Sequence, residues 1–168
     1  RRLEQLVQDI GAIEPELLTT RQQAEESADT LQAAEQAMHD WREEWEAFPW
    51  NEDDGAAEVQ AWMRGRTGMQ IVDAAMREMY VTGRMHNRAR MIAASYLTKH
   101  LLTDWRVGLN WFADCLTDWD PASNAMGWQW SAGSGPDATP YFRVFNPETQ
   151  LDKFDPGRVY VDSWIAEG

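Results

Sequence analysis

Apolar residues in the first 48 positions recur every seven. Leu3, Ile10, Leu17, Ala24, Leu31, Met38 and Trp45 hold one heptad position. Leu6, Ile13, Thr20, Ser27, Ala34, Trp41 and Phe48 hold the position three later. An apolar 3–4 repeat of this length predicts a coiled-coil seam or a helical hairpin. Its middle is thin, because Thr20, Ala24 and Ser27 offer little to bury. Pro15 fits poorly inside one continuous helix, so a break is expected at Gly11–Glu14, with Pro15 in the first turn of the restarted helix. Residues 49–55 (Pro-Trp-Asn-Glu-Asp-Asp-Gly) read as a turn-rich linker.

Beyond the linker the pattern becomes that of short globular helices. One is predicted over 56–64. A second, over 69–82, carries Ile71, Val72, Ala75, Met76, Met79 and Tyr80 on one face and stops at Gly83. A third runs over 86–102. A fourth, over 105–117, turns Leu109, Phe112, Ala113 and Leu116 inward. Asp120-Pro121 reads as an N-cap followed by proline at the first helical position, opening a helix through about Trp130. From Ala132 onward Gly, Pro and Asp dominate, which predicts an irregular tail with short helical turns near 147–152 and 158–164. No segment has the alternation of a strand. The expected fold class is all-α: an N-terminal helical arm or coiled-coil hairpin over 1–48, then a helical domain over 49–168.

Composition narrows the chemistry. Ten Trp stand against five Phe and four Tyr. That excess suits electron transfer or base stacking, and equally a Trp-rich helical core. The net charge of −13 argues against a simple nucleic-acid coat protein. The charge is uneven: residues 1–48 hold twelve acids and four arginines, whereas Arg84, Arg88, Arg90, Lys99 and Arg106 form a local basic cluster. A single cysteine, Cys115, excludes an intramolecular disulfide and a Cys-rich metal site within these residues. The three histidines show no ligand spacing, so no metal is expected. With no signal peptide and no long apolar run, a cytoplasmic protein without membrane contact is expected.

The third helix carries the strongest hint of a site. Asn87, Arg90, Met91 and Ala94 stand at i, i+3, i+4 and i+7 and share one face. A buried guanidinium needs a carboxylate, and Asp118 and Asp120 follow the next helix. A structural Arg–Asp pair joining two helices explains these residues as readily as a ligand site does.

Several motifs go further. They are Gly-Arg-Thr-Gly-(x)2-Ile-Val-Asp-Ala-Ala-Met-Arg (65–77), Thr-Gly-Arg-Met-His-Asn-Arg-Ala-Arg-Met (82–91), Ala-Ser-Tyr-Leu-Thr-Lys-His-Leu-Leu-Thr-Asp-Trp-Arg (94–106), Asp-Trp-Asp-Pro-Ala-Ser-Asn (118–124), Trp-Gln-Trp (128–130) and Pro-Tyr-Phe-Arg-Val-Phe-Asn-Pro (140–147). Together they resemble, in order, the C-terminal half of the FAD-binding domain of the DNA photolyase/cryptochrome family, over about residues 50–164. The resemblance implies FAD as cofactor and UV-damaged DNA as partner. It implies that Asn124 faces N5 of the flavin ring, that Arg90 and Asp118 form an ion pair beside it, and that Asp120 meets its pyrimidine edge. It implies that Asn87 lies between adenine and the damaged bases, and that Met91 and Trp130 line the pocket for a flipped dimer. Arg88 and Arg143 are implied as phosphate contacts, and Trp128, Trp105 and Trp50 as an electron-hopping chain.

The subtype implied is the cyclobutane-dimer branch, because His86 is followed by Asn87-Arg88 and because Asn rather than Asp stands at 124. Gln70 departs from the proline usual in the family. The antenna domain and the first half of the flavin domain have no counterpart in these motifs, so a truncation, a fusion or a chimera joined near Trp41–Trp50 is expected. Residues 1–48 weakly resemble the coiled-coil arm of a structural-maintenance-of-chromosomes ATPase, and helical self-association through them is expected. Three functions stay open: a fragment of a light-driven DNA-repair lyase, impaired in isolation; a cryptochrome-like blue-light sensor; or a non-catalytic helical interaction protein.

Overall fold

A computed structural model describes residues 15, 18–29, 32, 36, 38–39, 41–136 and 144–165. The expected break at Gly11–Glu14, half of the heptad positions and Arg143 lie outside the described residues. The chain divides into two compact units, Arg1–Gln36 and Ala37–Gly168.

In the first unit, helix α1 is described over residues 18–29 and is exposed along its length. Pro15 is itself helical, and its carbonyl accepts from the Thr19 hydroxyl at 2.9 Å. Arg21 and Glu25 pair at 3.0 Å across one turn. Such an exposed pair adds only a few tenths of a kcal/mol.

The second unit begins ahead of the turn-rich stretch. Met38 and His39 hand their carbonyls to Arg106 and Gln129, at 2.8 Å each. A 3-10 turn follows at Glu43–Trp45, and then helices α2 (Ala57–Met63), α3 (Gln70–Thr82) and α4 (Asn87–Ser95). A π-helical turn (Tyr96–His100) continues α4, and α5 (Trp105–Cys115), α6 (Pro121–Ala132), α7 (Pro147–Phe154) and α8 (Val159–Trp164) complete the unit. No strand forms among the described residues; one isolated parallel bridge joins Asn51 to Thr103.

The helix boundaries follow from caps. His86 Nδ1 accepts from the Arg88 amide at 3.1 Å, Asp104 from Arg106 at 2.7 Å, Asp120 from Ser123 at 2.7 Å and Asn146 from Thr149 at 3.0 Å. Each satisfies an otherwise unpaired first-turn N–H. Gly83 closes α3 at φ 69°, where a Cβ would stand 2.5 Å from Thr117 Cγ2. Only glycine accepts both demands.

The expected single helix over 86–102 is interrupted. The Leu101 amide reaches back five residues to the Tyr96 carbonyl at 3.2 Å, and Lys99 Nζ donates to the Ala132 carbonyl at 2.5 Å. The widened turn sets one extra residue into the helix and ties its end to the C-terminus of α6.

α3 packs against α2, α4, α7 and α8, while α6 packs against α4 and α5. The core is aromatic where these groups meet. Trp62 stacks on Phe112 at 6.1 Å and 7°, and Trp128 stands edge-on to Phe112 at 4.9 Å. The Trp62 indole N–H donates to the Ala93 carbonyl at 3.0 Å, so this buried tryptophan leaves no orphaned donor.

Candidate functional site

Two helix faces enclose a cavity of about 340 Å³. α4 contributes Asn87, Arg90, Met91 and Ala94, and α6 contributes Asn124, Gly127, Trp128 and Ser131. Both sets are spaced i, i+3, i+4, i+7, so each is a single helical stripe. Phe112 closes the floor from α5, and Asp118, Asp120 and Ser123 stand on the loop and first turn leading into α6.

The cavity is graded. Its rim is charged. Arg90 Nη2 donates to both oxygens of Asp118, at 2.8 and 2.7 Å, and Arg90 Nε donates to the Met85 carbonyl at 2.9 Å. The guanidinium is therefore held from two directions. Hydrogen bonds from the Ser123 hydroxyl and amide hold the Asp120 carboxyl below its usual range, so it faces solvent ionised. The Asn124 amide donates to the Asp120 carbonyl at 2.9 Å, which leaves its oxygen as an acceptor. The floor is apolar: Trp128 is 3% and Phe112 1% exposed.

The structure gathers Asn87, Arg90, Met91, Asp118, Asp120, Asn124 and Trp128 around this one cavity. Arg88 and Trp130 do not line it. Each is next to a lining residue, Asn87 and Ser131, but turned about 100° of helix rotation from it. They meet on an adjoining surface. The Arg88 guanidinium lies 4.8 Å from the Phe154 ring centroid and 5.8 Å from that of Phe145, and Trp130 lies 6.2 Å from Phe145.

The three tryptophans sit on elements laced to one another. Trp128 presses on α5 at Gly108, and Trp105 opens the same helix, fully buried. The Asn51 amide donates to the Leu102 carbonyl at 3.0 Å, and the Asp104 amide to the Asn51 carbonyl at 2.9 Å. That lacing brings the segment carrying Trp50 to the start of α5. Trp50 is half-buried, and its indole N–H donates to the Trp45 carbonyl at 3.2 Å.

The sequence marks Phe112 only as an inward-facing core residue and does not single out Ser123, Gly127 or Ser131. The 3–4 spacing of 124, 127, 128 and 131 was the available signal for the last two. Among the described residues no group of three His, Cys, Asp or Glu could hold a metal ion. No described helix is long and apolar enough to cross a membrane.

An all-helical pocket with a charged rim, a neutral amide at its mouth and a tryptophan floor defines a binding domain for a planar, hydrogen-bonding ligand. The chain belongs to the family described as the FAD binding domain of DNA photolyase, whose model matches residues 18–168. The match runs back through much of the heptad-bearing segment. A deoxyribodipyrimidine photo-lyase of Agrobacterium fabrum is 54% identical over 127 residues, covering 76% of this chain and 26% of the relative. The chain thus spans about a quarter of that curated relative's length. A class III photolyase structure from Agrobacterium tumefaciens superposes with a TM-score of 0.73 at 53% identity, over 78% of this chain and 27% of that one. A cryptochrome from Synechocystis superposes with a TM-score of 0.68 at 44% identity, over 72% and 24%.

Proposed function

We propose that this chain supplies one wall of the flavin site of a light-driven DNA-repair lyase that splits pyrimidine dimers in UV-damaged DNA, in a cytoplasmic setting. The observation that carries the reading is the convergence of Asn87, Arg90, Asp118, Asp120 and Asn124 on one cavity. The fit to a flavin ring rests on the cavity itself. A volume of about 340 Å³ suits a tricyclic ring, and a Cβ on Gly127 would meet nothing within 4 Å, so the α6 wall is open to a flat ligand.

Bound FAD would supply light-driven one-electron chemistry. The chain's own residues hold and orient. Asn124 offers a neutral amide that pairs without adding charge. Arg90 and Asp118 cancel each other's charge beside the ring, and Asp120 accepts from its pyrimidine edge. Asn87 and Met91 face the side where damaged bases enter. Arg88, with Trp130, offers a cation and an aromatic surface to nucleic acid, and Arg143 is assigned the same phosphate-binding role. Trp128, Trp105 and Trp50 form the route from the pocket floor to the surface. Residues 1–48 contribute no catalytic group and serve self-association, and residues 49–168 carry the site.

Among the described lining residues the only guanidinium, Arg90, is already held by Asp118. None of the described lining residues offers a free cation to the pyrophosphate, so these 168 residues alone are expected to bind FAD weakly and repair poorly. Flavin titration followed by fluorescence quenching tests this. Weak, saturable binding that Gly127→Met abolishes is expected; binding untouched by that variant overturns the site. The likeness to the Synechocystis cryptochrome favours a second reading, a blue-light sensor. Repair of dimer-containing single-stranded DNA by a full-length relative carrying this segment separates the two.

A further inference from the structure

The buried end of the cavity holds one polar group that no role above uses. Ser131 is 6% exposed and stands on the Asn124–Gly127–Trp128 stripe. Every other polar or charged lining residue is half-buried or exposed. The Ser131 hydroxyl makes no hydrogen bond to the described residues. The Oγ is not among the buried unpaired side-chain atoms, so it opens onto the cavity, where a ligand atom can reach it. The apolar lining residues Ala94, Phe112 and Trp128 offer no side-chain acceptor other than the tryptophan face.

We propose that Ser131 is a specificity-determining residue, whose hydroxyl pairs with a polar atom on the inner edge of the planar ligand held in this cavity. The proposal rests on the flavin reading above. Asn124 and Asp120 meet the ligand at the wet rim, and Ser131 meets it at the dry floor. A ring with polar atoms at both edges is matched at both ends. A purely hydrocarbon ring leaves Ser131 unpaired and is rejected, because a buried donor without a partner costs more than a lost contact.

The test uses the whole chain and two probes, FAD and lumiflavin, which has the ring without the phosphate arm. Ser131→Ala should weaken both probes by about two- to tenfold, the range of one neutral hydrogen bond. It should also shift the flavin absorption fine structure, and Ser131→Thr should restore both. The unliganded Ser131→Ala chain should be at least as heat-stable as the wild type, since the hydroxyl lost has no protein partner and alanine favours helix. Equal affinity and an unshifted spectrum in Ser131→Ala overturn the proposal while wild-type binding blocked by Gly127→Met leaves the flavin reading standing. A drop in unliganded stability shows a hydroxyl already paired within the protein and also overturns it. A wild-type chain that binds neither probe removes the reading and the proposal together.

Discussion

Gly108 and Trp128 are in van der Waals contact with no room between them. A Cβ on Gly108 would stand 2.1 Å from Cη2 and 2.5 Å from Cζ3 of the Trp128 indole, and 2.6 Å from Leu97 Cδ2. The outer edge of the indole therefore presses on the α5 backbone, and this close approach fixes the floor of the cavity. Gly108→Ala should cost about 1–3 kcal/mol through overpacking, despite alanine's better helix propensity. Denaturant unfolding measures the loss, and near-ultraviolet circular dichroism should show Trp128 displaced. An unchanged midpoint would mean that the indole moves aside freely.

Gly127 is the opposite case on the same helix. Open space surrounds its Cβ position and its backbone is helical. Gly127→Ala should therefore stabilise the chain by about 0.5–1 kcal/mol. Thermal unfolding of the unliganded protein checks the sign. A loss of stability would show that the α6 wall is not open.

Arg90 and Asp118 illustrate a pair whose worth is not in folding. The Asp118 side chain is 61% exposed, and exposed pairs contribute about 0–1 kcal/mol. Asp118→Asn should leave the unfolding free energy within that range. Flavin affinity should fall further than stability, because the guanidinium beside the ring then carries an unbalanced charge. If stability drops by much more than affinity, the pair is structural.

The elements that could be read from sequence were those whose signals are local. α3 shows its apolar stripe and its Gly83 stop, and α6 shows Asp120-Pro121 at its start. The π turn could not be read, since nothing in Tyr-Leu-Thr-Lys-His announces an extra residue; the widening is enforced by Lys99 reaching Ala132 across space. The α4 stripe was legible because Asn87 and Arg90 are odd beside Met91. The α6 stripe was half legible, because Gly127 and Ser131 look like ordinary small helix residues until the cavity is seen. Trp130, which the family resemblance implies for the dimer pocket, stands beside Phe145, which also lies under the Arg88 guanidinium.

Lys99 gives the chain a specific alkaline signature. Burial lowers its ammonium from 10.5 to about 8. The folded chain thus releases this proton before the unfolded chain does. Between about pH 8 and 10.5 the unfolded state binds more protons, so the Lys99 contribution to stability rises with pH across that window. Below about pH 8 the cost of the buried charge is fully present. Burial raises Cys115 and Tyr96 above their ordinary values, and their contributions cancel when two variants are compared. The unfolding free energy of the wild type minus that of Lys99→Met should increase from pH 7.5 to pH 10, pH values chosen to bracket the window. A flat difference would place the lysine's ammonium in water.

Asn124→Asp tests which atom faces the ligand. Asn124 lies in the first turns of α6, where a negative charge is tolerated near the helix N-terminus. The exchange is isosteric and loses one hydrogen bond, to the Asp120 carbonyl. Folding should therefore change little, by about 1 kcal/mol at most. The site should change more. The rim already carries the ionised Asp120, and a second carboxylate four residues on would place two negative charges at the cavity mouth. Like charges disfavour further negative charge nearby. The bound flavin should then be harder to reduce, so its reduction potential should move to more negative values. Spectroelectrochemical titration of wild type and variant under one set of conditions measures the shift. The wild-type potential retained in the variant, with binding intact, would show that position 124 does not face the ring, and the assignment of the rim would have to move to Asn87.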